Sequence, residues 1–449
     1  MGHSTSKTYR QLQARLDQAP QGAPASNALF EILEVLFREE EARLVSVLPI
    51  NMFTVREAAR MWKKPEGDAG RILDELADKG ILFDFAIGET QAYMLAPPMA
   101  GFFEFSMMRL DGRFDKRILS ELYYQYINTE EDFIRAVFSI EPSILRTFVH
   151  EETIAEKDTI VVLDYERATS IIDTATCITV GTCYCRHKMQ HMGRACSNPQ
   201  EVCLTFNSAA ETLSKHGIAR QIGKEEAHRI LKECIGLGLV QLGDNVQEGV
   251  NWICNCCSCC CEGLLAYRRL GYNPRITANF VSRDGGGECT ACGTCVERCP
   301  VDAIALSQGK NGDSYARVDA DRCIGCGVCV RFCPAGNRVM ARRAETAFVP
   351  KDTFERIVAS AITTGTLQNL LLENRTLWTH DMLRRLLKIV LSPRLSRRLM
   401  AQRQIRSRFL ERLIRMRRYA LVNELVNSGK KPDYSHPELS RGLPARSGG

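Results

Sequence analysis

Three absences bound this 449-residue chain. There is no run of about 18 apolar residues, so no membrane-spanning helix is expected. The first residues, Met-Gly-His-Ser-Thr-Ser-Lys-Thr-Tyr-Arg, lack the apolar stretch of a secretion signal. No cysteine lies before Cys177 or after Cys333, although the chain carries 20. A secreted disulfide scaffold is short and follows a signal. The combination points instead to a reducing cytoplasm, with cysteines used for metal rather than for bridges. An evenly basic surface is missing too. The net charge is +6, but residues 381–420 hold thirteen Lys/Arg against Asp381 and Glu411, a net of +11, leaving −5 for the rest. The basic balance therefore belongs to one segment.

What is present is ordinary in bulk: 45% hydrophobic and 25% charged residues, typical of a globular protein with room for roughly three domains. The expected architecture is α+β and multidomain. Residues 1–27 read as a short helix, Ser6 to Asp17, and a linker. Residues 28–96 read as a winged-helix-like domain. Its helices are expected at Ala28–Val47, at Thr54–Trp62 with Thr54 as the cap, and near Gly67–Lys79. Strands Ile81–Phe85 and Gln91–Leu95 follow, joined by a wing at Gly88-Glu89. The third helix carries Arg71 and Lys79 against Asp68, Asp74, Glu75 and Asp78. Phosphate neutralisation dominates DNA affinity, so a helix of net negative charge argues for docking or dimerisation over DNA binding.

Residues 97–150 are rich in aromatics at helical spacing, which reads as core without chemistry. Residues 151–283 form a cysteine-rich α/β domain. Strands are expected at Thr159–Leu163 and at Leu239–Leu242, with a helix over 225–237. Alternation from Cys177 to Cys185 predicts a strand carrying Cys177, Cys183 and Cys185 on one face. Residues 284–342 open on a glycine-rich hinge, Asp284–Gly287. Residues 343–426 read as a helical basic tail, and 427–449 as disordered.

The surest chemistry lies at 289–334. The chain writes C-x2-C-x2-C-x3-C-P twice, as Cys289, Cys292, Cys295, Cys299 and as Cys323, Cys326, Cys329, Cys333. Three thiolates within seven residues wrap one corner of an iron–sulfur cube, and the fourth reaches the other cube. By that logic Cys289, Cys292, Cys295 and Cys333 hold one 4Fe–4S cluster, and Cys323, Cys326, Cys329 and Cys299 hold the second. Here the chain resembles the bacterial two-cluster (dicluster) ferredoxins over about residues 285–342. One departure follows the second motif. Val301-Asp302-Ala303-Ile304 is typical of the family, but Ala335-Gly336-Asn337-Arg338 is not, so packing around that cluster is expected to differ.

Twelve cysteines remain. Cys234 sits on an apolar helical stripe and reads as a small buried hydrophobe; Cys177 reads as core. The other ten are candidate metal ligands in two groups. Cys183, Cys185, Cys196 and Cys203 suffice for one tetrahedral metal or one cube, with Arg186, His187 and Lys188 offsetting thiolate charge. His187 and His191 are expected to be solvated or supporting rather than ligands. Cys254, Cys256, Cys257, Cys259, Cys260 and Cys261 put six thiols in eight residues, which no apolar core needs. Adjacent cysteines cannot all point at one small site, so some are expected to bridge to Cys183–Cys203. The bland alternative is structural zinc; the ferredoxin motifs next door favour a further iron–sulfur centre.

The upstream pattern, C-x-C-R and then C-N-C-C-x-C-C-C ahead of a dicluster segment, also resembles a group of large 4Fe–4S proteins of anaerobes over much of residues 30–340. That resemblance implies an iron–sulfur redox role without naming a reaction. The leading expectation is an electron-transfer protein serving a partner oxidoreductase. The alternatives are a redox-sensing winged-helix regulator and an oxidoreductase with an unusual cluster at the six-cysteine run. The basic segment 381–420 suits an anionic membrane surface or an acidic partner, or lies on the protein's own core.

Overall fold

The carboxylate of Glu41 breaks what the sequence suggests is one long helix. After α1 (Lys7–Leu16), α2 (Asn27–Leu36) begins at Ser26, whose hydroxyl accepts the Leu29 N–H. Phe37 and Arg38 are extended, and α3 (Glu39–Val45) starts afresh because Glu41 accepts both the Arg38 backbone N–H at 2.8 Å and its guanidinium. The expected helix Ala28–Val47 is thus two. After β1 (Phe53–Thr54), α4 (Val55–Trp62) opens on a reciprocal cap: the Thr54 N–H donates to Glu57 and the Glu57 N–H to Thr54 Oγ1. Then come α5 (Glu66–Asp78), β2 (Leu82–Ile87) and β3 (Thr90–Leu95), the strands forming an antiparallel sheet in the order β1-β3-β2. On α5, Arg71 lies near Asp68 and Glu75, and Lys79 just beyond it donates to Glu41 at 2.7 Å.

This computed structural model describes residues 6–87, 90–154, 163–271, 276, 278–309 and 314–371. The expected wing turn at Gly88-Glu89, most of the strand at Thr159–Leu163, the basic segment 381–420 and the tail 427–449 lie outside the described residues.

The aromatic stretch forms α6 (Phe103–Met108), α7 (Lys116–Tyr123) and α8 (Asp132–Phe138). Phe103 packs on Tyr123 with ring centres 4.7 Å apart, and Tyr126 stacks on Phe133 at 4.7 Å. The buried Tyr123 hydroxyl meets Ser106 Oγ at 2.7 Å.

A six-stranded sheet carries the upstream cysteines. Its members are β4 (Leu145–Phe148), β5 (Ile178–Thr182), β6 (Glu201–Phe206), β7 (Arg220–Gln221), β8 (Val240–Asp244) and β9 (Trp252–Cys256). They lie in the order β4-β8-β9-β6-β5-β7 with every neighbouring pair antiparallel. Interspersed are α9 (Ala168–Thr174), α10 (Tyr184–His191), α11 (Asn207–Lys215), α12 (Lys224–Gly236) and α13 (Glu262–Arg269). Alternation sorts the side chains. Ile178, Val180, Leu204, Phe206 and Ile253 pack with Ile172 of α9 and with Ala227 and Leu231 of α12. Val240 and Leu242 join a second core that runs into the N-terminal helices. β2 is anchored to α11: Thr212 Oγ1 donates to the Asp84 carbonyl at 2.9 Å, and the buried Asp84 carboxylate accepts from Lys215 and lies 3.2 Å from His216 Nε2.

The strand expected to run from Cys177 to Cys185 ends at Thr182, after a register shift at Gly181/Thr182. Cys183 is the cap of α10 and Cys185 lies in its first turn, so the two do not share a strand face.

A strand precedes the two cysteine motifs. β10 (Phe280–Asp284) is followed by α14 (Thr294–Glu297), the hairpin β11 (Ile304–Gln308) and β12 (Ser314–Val318), α15 (Val328–Arg331) and β13 (Arg338–Arg342). β13 pairs antiparallel with β10. The glycine hinge is held in place: the Gly285 N–H donates to the Asn337 carbonyl at 3.0 Å and the Gly287 N–H to its side chain at 2.9 Å. Gly325 has φ +77°, and a Cβ there would collide with the Phe280 carbonyl, so the second motif lies flush on β10. α16 (Thr353–Thr364) follows, with Asp352 as its cap. Among the described residues no helix is long and apolar enough to cross a membrane.

Candidate metal centres

The first motif turns at Gly293, in the left-handed region, into the single turn of α14. This places Cys289, Cys292 and Cys295 around one concavity, whose wall is completed by Cys333 from the second motif. Cys292 is exposed, and its thiol is drawn down by the Thr294 hydroxyl, 3.5 Å away. Cys295 is buried; burial pushes its thiol up, and the guanidinium of Arg338 pulls the other way.

The second motif is deeper. Cys323, Cys326 and Cys329 are all buried, and Cys299 lies with them rather than with its own motif. Burial pushes the Cys329 thiol up to about 12, against a 3.2 Å contact with the Ser282 hydroxyl. Cys326 is raised well above the ordinary range by burial and by its three thiol neighbours. Three buried thiols and a partly buried fourth that repel one another as thiolates need a cationic partner, which an iron core supplies. The residues present therefore fit the cluster that the motif spacing implies.

The atypical Asn337-Arg338 pair has a structural consequence. Both side chains are buried. Arg338 donates to the Ala316 carbonyl, and its charge is felt by both Cys295 and Cys329, one thiol from each centre.

Upstream, β9 separates the thiols by parity. Cys254 and Cys256 face one side; Asn255 and Cys257 face the other. Asn255 is fixed by a 2.8 Å bond to the Val202 carbonyl and a 2.9 Å bond from Gln241. A turn over Ser258–Cys260 follows, and Cys261 becomes the cap of α13.

Six of the ten upstream thiols form an unbroken chain of neighbours in the order Cys203, Cys254, Cys256, Cys261, Cys185, Cys183. Cys203 and Cys254 have their sulfurs 4.0 Å apart. Along the chain the thiols alternate. Hydrogen bonds from Cys203 and Cys256 bring Cys254 down to about 5. Those from Cys185 and Cys256, with the Leu264 and Gly263 N–H groups of α13, bring Cys261 well down. Cys183 is lowered by Cys185, against burial, and by the nearby Arg186. Cys185, Cys203 and Cys256 are raised in turn.

The other four, Cys196, Cys257, Cys259 and Cys260, form a compact group with all sulfurs within 4.8 Å of one another. The expected foursome of Cys183, Cys185, Cys196 and Cys203 is thus divided. Cys196 lies in the loop after α10 and joins the turn after β9, while the remaining three join Cys254, Cys256 and Cys261.

Of the cations expected to offset this charge, only Arg186 does so directly. Its side chain is fully buried, its Nη1 donates to the Pro199 carbonyl at 2.5 Å, and it lies against Cys183, Cys256 and Cys257. Lys188 is instead paired with Glu262 and donates to Asn128 Oδ1 at 2.6 Å. His187 Nδ1 lies 2.7 Å from the Met107 carbonyl, and its Nε2 is 3.1 Å from that of His191. Cys234 is buried on α12, its thiol pushed up to about 12 by burial, and Cys177 stands apart from both thiol groups.

Sequence reasoning missed Glu104, Asn128 and Glu262. Burial pushes the Glu104 carboxyl up to about 7, opposed by the Ala100 and Gly101 backbone and reinforced by Cys254. Its only signal in the sequence is a single acid inside Phe102-Phe103-Glu104-Phe105.

Comparison with curated proteins and with solved structures returns no match. Against protein families, residues 288–337, which hold both cysteine motifs, match the 4Fe-4S dicluster domain.

Proposed function

We propose that the chain is an iron–sulfur electron-transfer protein. In this reading the centre at Cys289, Cys292, Cys295 and Cys333 meets the redox partner. The centre at Cys299, Cys323, Cys326 and Cys329 relays inward, and the six-thiol chain lies at the inner end. The observation that carries it is one shared core: Cys323 and Cys326 pack in the same apolar cluster as Cys256 and Cys261, together with Leu264, Ala266 and Tyr267 of α13. The Tyr267 hydroxyl donates to the Arg322 carbonyl at 3.2 Å, tying α13 to the start of the second motif. Cys292, by contrast, is exposed.

Each bound 4Fe–4S cluster supplies one-electron exchange by cycling its iron valence. The chain's own residues set the conditions for it. Ser282 and Thr294 place hydroxyls beside ligand sulfurs, Arg338 offsets the added charge, and burial of the second motif excludes water. The proposed partner is a protein oxidoreductase that covers the exposed Cys292. β2 anchors the winged-helix-like region to α11 in this reading, which makes it a docking element rather than a DNA reader.

A second reading, an oxidoreductase acting at the six-thiol centre, draws on Glu104. Its carboxyl, pushed up to about 7 by burial, also feels the charge of Cys254.

Iron and acid-labile sulfide per chain, measured after anaerobic purification, test the first reading together with a potentiometric EPR titration. About eight irons in the dicluster segment are expected, with further iron upstream. Fewer than about eight after reconstitution would remove the central claim. Substrate-dependent turnover lost on Cys256→Ser, with both dicluster signals intact, would favour the second.

A further inference from the structure

The compact group at Cys196, Cys257, Cys259 and Cys260 differs in kind from the other thiol sites. Its sulfurs lie 3.5 Å apart for Cys196–Cys257, 3.5 Å for Cys259–Cys260 and 4.0 Å for Cys196–Cys260. A single ion with four metal–sulfur bonds of about 2.3 Å sets the edges of its tetrahedron at about 3.8 Å. In a 4Fe–4S cube each thiolate binds a different iron, and the sulfurs stand about 6 Å apart. The dicluster segment supplies the comparison within the same molecule. Among the described residues, no three of its thiols draw within the 4.8 Å that encloses this foursome. The six-thiol chain is likewise too extended for any three of its members to do so.

The surroundings agree with a closed tetrathiolate. Four thiolates on a divalent ion leave a net charge of −2. Arg186, fully buried, lies against Cys257, and the Asn198 side-chain amide donates to Cys196 Sγ at 3.3 Å. Amide N–H bonds to sulfur and a nearby cation are the outer contacts that steady a thiolate ligand. Cys257 and Cys260 pack, with Cys196 against them, in one core of the sheet, while Cys256, with Cys254 against it, packs in the other. The two sites therefore share a wall but no ligand.

We infer that Cys196, Cys257, Cys259 and Cys260 bind one tetrahedral thiophilic metal ion, zinc or a lone iron, distinct from the six-thiol centre. The ion clamps the loop after α10 to the turn that aims Cys254, Cys256 and Cys261. With four protein ligands it has no open position for a substrate, so as zinc its role is structural. The inference does not depend on the electron-transfer reading, since it stands whether or not the dicluster segment carries current.

The test is elemental analysis of the full chain, purified anaerobically, as wild type, Cys259→Ser and Cys177→Ser. Cys259 is exposed, so its substitution leaves the core packing alone, and Cys177 belongs to neither group. Wild type and Cys177→Ser are expected to hold one metal ion in excess of the iron matched by sulfide. Cys259→Ser is expected to lose that ion with sulfide and dicluster EPR unchanged. Zinc assays identify one source; iron without sulfide, with the Mössbauer signature of a mononuclear tetrathiolate, identifies the other. Cobalt exchange is expected to give the ligand-field bands of tetrahedral thiolate cobalt, shifted but retained in Cys259→His, which keeps a fourth donor if the serine variant fails to fold. Loss of about four irons and four sulfides together in either variant overturns the inference. So does a metal content that Cys259→Ser leaves unchanged.

Discussion

Lys188 and Glu262 form a salt bridge closed to water, with the ammonium side chain 0% and the carboxylate side chain 3% exposed. Lys188 is on α10, behind Cys183 and Cys185; Glu262 is the first residue of α13, directly after Cys261. Asn128 completes the network, accepting from Lys188 at 2.6 Å and donating to Glu262 at 2.5 Å. The pair thus locks together the two helix starts that present Cys183, Cys185 and Cys261.

Removing one partner leaves an uncompensated buried charge, which typically costs about 3–5 kcal/mol. Lys188→Met is therefore expected to lower the unfolding free energy by about that amount and to loosen the upstream metal. The double variant Lys188→Met/Glu262→Leu is expected to recover much of the loss. Anaerobic denaturant titration of both variants, alongside metal analysis, checks this.

The exposed and buried dicluster centres are expected to separate kinetically. Cys292→Ser removes a ligand from the outer centre, so electron uptake from an external protein donor is expected to slow at least tenfold. Cys326→Ser is expected to leave the first step intact and to block reduction of the upstream centre. Stopped-flow absorbance with freeze-quench EPR resolves the two. Equal slowing in both variants would show that the donor does not use the outer centre.

Arg338 reaches both dicluster centres. Reduction adds a negative charge, which a buried guanidinium stabilises. Arg338→Met is expected to lower the midpoint potentials by roughly 50–100 mV, and Arg338→Lys by less. An EPR-monitored redox titration in which the methionine variant does not shift would assign Arg338 to packing alone.

Lys116, which donates to the Ser106 carbonyl, gives a pH signature of its own. Burial holds its ammonium down to about 8, against the attraction of Asp111. Its value in an unfolded chain is about 10.4. Between those values the unfolded state binds more protons than the folded one, so stability is expected to rise with pH from about 8 to about 10. Lys116→Met is expected to flatten that rise in thermal unfolding followed across the window.

Much of the fold was legible because local chemistry decides it. Thr54 marks the start of α4, the stripe of Ala227, Leu231 and Cys234 marks α12, and the two cysteine motifs mark the dicluster segment. The misreadings arose where a distant or competing contact won. Glu41 accepts the Arg38 N–H and splits a helix that apolar periodicity runs together. The cap at Cys183 ends a strand that alternation carries onward. Glu104 looks like one acid in an aromatic core, because nothing local announces its burial or the charge of Cys254 that it feels.

The sequence by itself determined how many thiols there are and the two dicluster motifs, because those depend on residue type and short spacing. Only the tertiary structure decided how the ten upstream thiols divide into four and six. That division depends on which face of β9 each side chain leaves, and on the antiparallel register that brings Cys203 beside Cys254. It depends too on a loop that carries Cys196 across 61 residues of chain to Cys257.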